Sequence, residues 1–192
     1  MPLIDRADSL LIVIDAQPGF AGRTDATSRE AARAREAAAW LSGVAAALGV
    51  PVVVTEEDAT QNGPTDPVIA ARLPPGTPIL SKVVFGLADE ATILAAVEAT
   101  GRRTAILTGA ETDVCVAQSA IGLHDRGWRV AVAADATASP GAAHEQGLTR
   151  LRDAGIELVG VKAVGYDWLR SVERAELVLE HVVTEGPRGI VL

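Results

Sequence analysis

Of the side chains that most often carry chemistry, the 192 residues hold one cysteine, three histidines and two lysines, and of the large aromatics only two phenylalanines, one tyrosine and three tryptophans. A single cysteine leaves no partner for a disulfide within the chain and too few thiolates for a zinc cluster. No apolar run approaches the roughly 20 residues that cross a bilayer. The opening MPLIDRADSL places Asp5, Arg6 and Asp8 where a signal peptide would be basic and then apolar. A cytoplasmic protein without a membrane partner is expected. With 17 basic against 25 acidic residues, a net charge of -8, the chain lacks the cationic surface that binds nucleic acid. Internal repeats and low-complexity linkers are also missing.

What is present is a globular composition, 48% hydrophobic and 22% charged, far from the disordered regime and enough for one sizeable core. Short apolar, β-branched stretches at 10–14, 50–55, 78–80, 104–107, 130–133 and 156–159 read as strands, apolar on both faces as in a covered parallel sheet. Helical stretches at 27–48, 90–99, 112–125 and 142–154 lie between them, closed by Gly49, Gly101, Gly127 and Gly155. Strand and helix alternate, which predicts a three-layer α/β/α domain over 1–192 with right-handed crossovers. Its chemistry belongs just beyond the carboxyl ends of the strands. Residues 56–77, with Gly63 and four prolines, predict a mostly irregular flap over the site. A helical tail starts near 166, with one helix at 167–182 and a Gly/Pro-rich end suited to packing on a neighbouring subunit.

Three residues stand at such strand ends. Asp15 closes the first apolar run, in LLIVIDAQPGF; alone it reads equally as a carboxylate capping a strand end. Lys82 follows the third run, in ILSKVVFG. Of 17 basic residues only Lys82 and Lys162 are lysines, so a chain that otherwise uses arginine keeps a compact ammonium in an apolar segment. A lysine snorkelling at a sheet edge is the bland alternative. Cys115 follows the fourth run, in the first turn of a helix that Thr112 would cap, where backbone N-H groups and the helix dipole favour a thiolate. A lone cysteine is otherwise an inert buried hydrophobe. The two phenylalanines, Phe20 and Phe85, follow Asp15 and Lys82 closely and suit the walls of a small pocket. His124 lies nine residues past Cys115, on the opposite helix face and about 13 Å along the axis. His144 and His181 read as structural. A cysteine hydrolase built from these parts needs a carboxylate as its base.

Asp15, Gln17 and Phe20 in D-x-Q-x-x-F, Lys82 and Phe85 in K-x-x-F, and G-x-E-T-x-x-C-V from Gly109 to Val116 together resemble the isochorismatase-like, or cysteine hydrolase, family. The likeness runs from about Leu10 to Val164. Glu111 and the Thr55-Glu56 pair look most like the isochorismatase-domain-containing hydrolases. The resemblance implies a six-stranded parallel sheet of order 3-2-1-4-5-6 and a homodimer or larger homo-oligomer. It implies Asp15 as general base, Lys82 supporting the thiolate and Cys115 attacking a carbonyl to form a thioester. A cis peptide between Ala110 and Glu111 and an oxyanion hole from the backbone N-H groups of Glu111 and Cys115 belong to the same pattern. Gln17, Phe20, Glu56 and Phe85 are expected to line the pocket.

Where metal-dependent nicotinamidases carry histidines after the second strand, this chain reads TEEDATQNGP. No metal and no other cofactor is therefore expected, and nicotinamide becomes a poor substrate candidate. The cysteine favours hydrolysis of a C-N bond in a small amide or carbamoyl compound over enol-ether cleavage. A catalytically retired small-molecule-binding protein and a thiol redox protein of low cysteine pKa are the alternatives.

Overall fold

The computed structural model describes residues 2–20 and 25–182. Six strands, β1 (Ser9–Ile14), β2 (Val52–Glu57), β3 (Ile79–Lys82), β4 (Thr104–Ala110), β5 (Arg129–Ala138) and β6 (Glu157–Val159), form one all-parallel sheet of order 3-2-1-4-5-6. Helices α1 (Asp25–Leu48), α4 (Ala91–Ala99), α5 (Ala117–His124) and α6 (Ala143–Asp153) connect them. The expected order is thus observed.

Strand alternation sorts the core into two layers. Leu11 and Val13 of β1, with Val52 and Val54 of β2, face α1, whose Ala37, Ala38, Leu41, Val44 and Ala45 recur at helical spacing and pack against them. Leu10, Ile12 and Ile14, with Val53 of β2, face the opposite way, toward Ile93 of α4 and Ala117 and Ala120 of α5. β1 is buried along its whole length because it is central and covered on both sides.

Three regions depart from the sequence reading. The segment expected to be irregular contains two single-turn helices, α2 (Ala59–Asn62) and α3 (Pro67–Ala70), the second started by Asp66 accepting from Val68 N and by Pro67 at its first position. The tail is two helices, α7 (Val161–Leu169) and α8 (Val172–Val182), separated by Arg170 at φ 66°. α7 begins six residues before the expected helix because Trp168 and Val164 are core residues on the α1 layer, with Trp168 Nε1 donating to Ser9 Oγ at 3.0 Å. The Gly/Pro-rich end lies outside the described residues. β5 also runs past its expected end: the register steps from Leu107 opposite Val132 to Gly109 opposite Thr137, a bulge beside the site that periodicity does not announce.

Candidate active site

The carboxyl ends of β1, β2, β3 and β4 meet at one point above the sheet. Asp15 follows Ile14, its N-H bonded to Thr55 O at 3.0 Å. Its φ of 46° is a left-handed conformation that costs a non-glycine residue about 1–3 kcal/mol. Three contacts hold it there. Thr55 Oγ1 donates to Asp15 Oδ1 at 2.7 Å, and Lys82 Nζ lies 2.6 Å from Asp15 Oδ2. Both side chains of that ion pair are fully buried. Apart from that ion pair, Oδ2 has no hydrogen-bond partner among the described residues. The third is the neighbouring Cys115 thiol, near enough for the Asp15 charge to raise its pKa. Lys82 Nζ also donates to Val84 O at 3.0 Å, which fixes the ammonium from the other side.

Cys115 sits in a π-helical turn, Thr112–Val116, that leads directly into α5. Glu111 precedes the turn, and the Ala110–Glu111 peptide is cis. Thr112 lies one residue inside the turn instead of capping it; its hydroxyl is 2.9 Å from His144 Nδ1. Asp113 Oδ1 accepts from Ser139 Oγ at 2.6 Å. From α6 and the end of β5, His144 and Ser139 brace the turn that carries Cys115. Two glycines permit this closeness. A Cβ on Gly109, at φ 119°, would stand 1.8 Å from Ile14 O, and one on Gly147 would stand 2.7 Å from Asp113 N.

Opposing influences act on the thiol, and burial decides between them. Burial first, and the Asp15 charge second, push the Cys115 thiol from about 9 up to about 12; Lys82 pulls it down, while the hydrogen bond to Asp15 and the charge of Glu57 add to the rise. The resting residue is a protonated thiol. Lys82 favours the thiolate but does not outweigh burial and Asp15 together. The redox alternative needed a thiolate at rest, and this environment opposes it.

The four residues expected around the pocket divide. Gln17 and Phe20 line a cavity of about 10 Å³ with Ala16, Gly109, Ala110 and Arg35. Gln17, however, spends its amide on the flap: Nε2 donates to Glu57 O at 3.1 Å and Gly63 O at 2.6 Å, and Oε1 accepts from Glu57 N at 2.8 Å. Glu56 does the same, with Oε1 accepting from Thr65 N and Thr65 Oγ1 at 2.6 and 2.7 Å. Both are flap anchors instead of open pocket walls. Phe85 is 51% exposed near the β3 edge and does not line that cavity. The sequence reading missed the chemistry of Thr55 and Glu57; strand alternation from Val53 signals both, since odd positions of β2 face the α5 layer.

Among the described residues no group of three His, Cys, Asp or Glu side chains is arranged to hold a metal, and no helix is long and apolar enough to cross a membrane. The family description "Isochorismatase domain" matches residues 9–163, which takes in Asp15, Thr55, Lys82 and Cys115. The chain is 37% identical over 92 residues to isochorismatase domain-containing protein 1 of Danio rerio and 35% identical over 120 residues to isochorismatase domain-containing protein 2 of Bos taurus. These matches cover 48% and 62% of this chain but only 32% and 56% of those relatives. Among solved structures, YcaC from Escherichia coli, described as an octameric hydrolase of unknown specificity, superposes with a TM-score of 0.83 at 22% identity, covering 95% of this chain and 92% of its own. YcaC from Pseudomonas aeruginosa, with hexane-2,5-diol and covalent acrylamide, gives 0.82 at 22% identity over 94% and 92%. The nicotinamidase of Bacillus subtilis gives 0.68 at 16% over 79% and 99%. By the domain match over most of its length, the chain belongs to the isochorismatase-like family of hydrolases.

Proposed function

We propose that the chain is a cysteine hydrolase that cleaves the C-N bond of a small amide or carbamoyl compound through a thioester on Cys115. The observation that carries this is the buried Asp15-Lys82 pair held against a thiol at a strand-to-helix junction. A carboxylate fixed by Thr55 and Lys82 suits the role of base to a thiol whose surroundings favour its protonated form.

As Sγ bonds to the substrate carbonyl carbon, its proton passes to Asp15, and Lys82 offsets the negative charge that develops on sulfur. The oxyanion is received by the backbone N-H groups of Glu111 and Cys115. In support, neighbouring amides are already committed: Asp113 N to Ser139 Oγ, Val114 N and Val116 N to Glu111 O. Asp15 then gives its proton to the departing nitrogen as the C-N bond breaks. Water attacks the thioester, its proton goes to Asp15 and on to the leaving thiolate, and a carboxylic or carbamic acid is released. No step calls for a metal or another cofactor. The homo-oligomer described for E. coli YcaC is carried to this chain in the same spirit.

The test is ammonia or amine release from a panel of small amides and carbamoyl compounds, with mass spectrometry of quenched protein. Release by the wild type, an acyl mass on the peptide containing Cys115 and loss of both in Cys115→Ala are expected. Turnover that survives Cys115→Ala would overturn the reading.

A further inference from the structure

We propose that Glu57 and Glu111 make the nucleophile site selective by charge, so that its substrates are neutral or cationic amides and not amides that carry a carboxylate near the scissile bond. The inference rests on the reading of Cys115 as the nucleophile and goes beyond it by naming a substrate class.

The placement follows from the sheet. Lys82 and Glu57 are register partners at the ends of β3 and β2, and Glu57 lies two residues beyond Thr55, so both share the face on which Thr55 meets Asp15. That is the face covered by α5, where Cys115 sits. The backbone of Glu57 is clamped by Gln17 on both its N-H and its C=O, and Asn62 Nδ2 also donates to Glu57 O at 3.0 Å. Its carboxylate receives only a long contact from Asn62 Nδ2 at 3.5 Å. Across the site, Glu111 begins the nucleophile turn, and its carbonyl accepts from Val114 N and Val116 N. Both side chains are half-buried.

The charges at this point do not cancel. Lys82 is committed to Asp15, which leaves the buried floor near neutral. Glu57 raises the pKa of Cys115 and also that of Glu111; for Glu111, burial is the larger cause, then Asp113, then Glu57. The nearby cations are engaged: Arg35, on the wall of the small cavity, pairs through Nε with Asp66 at 2.9 Å, and Arg150 donates to the backbone oxygen of Asp113 at 3.5 Å. Among the described residues neither Glu57 nor Glu111 forms an ion pair. At an effective dielectric of about 20, a unit anion brought to about 6–8 Å of one such carboxylate is disfavoured roughly 30- to 100-fold. A dicarboxylate such as isochorismate is the worst case.

Cys115 is the only cysteine, so alkylation reports on this site alone. Iodoacetamide and iodoacetate are nearly isosteric and differ in one negative charge. The measured quantity is the ratio of their rate constants in the folded protein, divided by the same ratio in the chain unfolded in urea. Because both reagents need the same thiolate, a change in the cysteine pKa cancels from the ratio. A corrected ratio of tenfold or more in favour of iodoacetamide is expected, falling at least fivefold in the double variant Glu57→Gln/Glu111→Gln. A corrected ratio near one, a ratio unchanged in the double variant, or resistance of folded Cys115 to both reagents each overturns the proposal. Charge selection without amide turnover would sink the proposed reaction and leave this inference standing; turnover without charge selection would do the reverse.

Discussion

The floor and the rim of the candidate site are built on different principles. The floor, Asp15, Thr55, Lys82 and Cys115, is buried: Asp15 and Lys82 stand at the ends of β1 and β3, Thr55 near the end of β2, and Cys115 in the turn that follows β4. The rim, from Glu56 through α3, is tied to the rest of the site by side-chain-to-backbone hydrogen bonds from Gln17, Glu56 and Asn62. A floor fixed by strand ends tolerates little change in position or charge, whereas a rim tied by a few polar clips is free to vary in shape. On the proposed function, reaction type belongs to the first and substrate choice to the second.

Cys115→Ala sharpens that difference most. It removes one sulfur from a tightly packed turn, so turnover of any amide substrate should fall by at least about a thousandfold. The thermal midpoint should shift little, since the change removes a single sulfur and a small apolar residue fits the buried site. Calorimetry and ammonia release on the same preparation check both. A collapse of stability would make the residue structural first.

Charge changes on the floor come next. Lys82→Gln leaves Asp15 buried without its cation, and loss of one partner from a buried pair costs about 3–5 kcal/mol, read from denaturant unfolding. The two partners should also move Cys115 oppositely. Lys82 lowers the thiol pKa, so Lys82→Gln should slow iodoacetamide labelling at fixed pH. Asp15 raises it through charge and hydrogen bond, so Asp15→Asn should speed labelling yet abolish turnover. In the wild type, a pKa of about 12 leaves about one thiolate in ten thousand at pH 8, so labelling should climb about tenfold per pH unit while the fold persists. A plateau below pH 9 would show that the thiol is far more acidic than its surroundings imply.

The same contrast explains what the sequence discloses. Asp15, Lys82 and Cys115 are readable because a parallel strand is a short apolar run with a definite end, and a polar residue at that end must lie on the sheet's upper edge. The order of strands and the glycines that close the helices are readable for similarly local reasons. Gln17 and Glu56 are not, because nothing in their own segments says that their partners are Gly63, Glu57 and Thr65. The bulge in β5 and the split of the tail into α7 and α8 also depend on distant partners: Gly109 opposite Thr137, and Trp168 on Ser9. The net direction of the Cys115 shift is not legible in the sequence, for a physical reason. The helix terminus and Lys82 are legible from the chain, but the burial that outweighs them is a property of the assembled core.

On the rim, Gln17→Ala removes three hydrogen bonds that tie the stretch after Asp15 to Glu57 and Gly63. The loss should be about 2–3 kcal/mol, because Glu57 N and two carbonyls are left in a half-buried place. Proteolysis between Asp58 and Asp66 should quicken, and KM should rise more than kcat falls. An equal loss in both constants would move Gln17 from rim to floor.

Thr55→Val separates position from charge at the boundary between the two regions. Thr55 Oγ1 donates to Asp15 Oδ1 at 2.7 Å, and both residues are fully buried. Valine has nearly the same shape, so no cavity opens and the change removes one charge-assisted hydrogen bond. Such a bond is worth about 1.5–3 kcal/mol, partly offset by the better fit of valine in a buried strand, so a net loss of about 1–2 kcal/mol is expected. Asp15 keeps its charge and its contact with Lys82. The pH profile of Cys115 labelling should therefore stay close to the wild type, while kcat falls because the base has lost the bond that orients it. A profile that moves as far as that of Asp15→Asn would mean that Thr55 governs the charge of the site. Unchanged stability together with unchanged kcat would mean that Lys82 alone is enough to hold Asp15 at φ 46°.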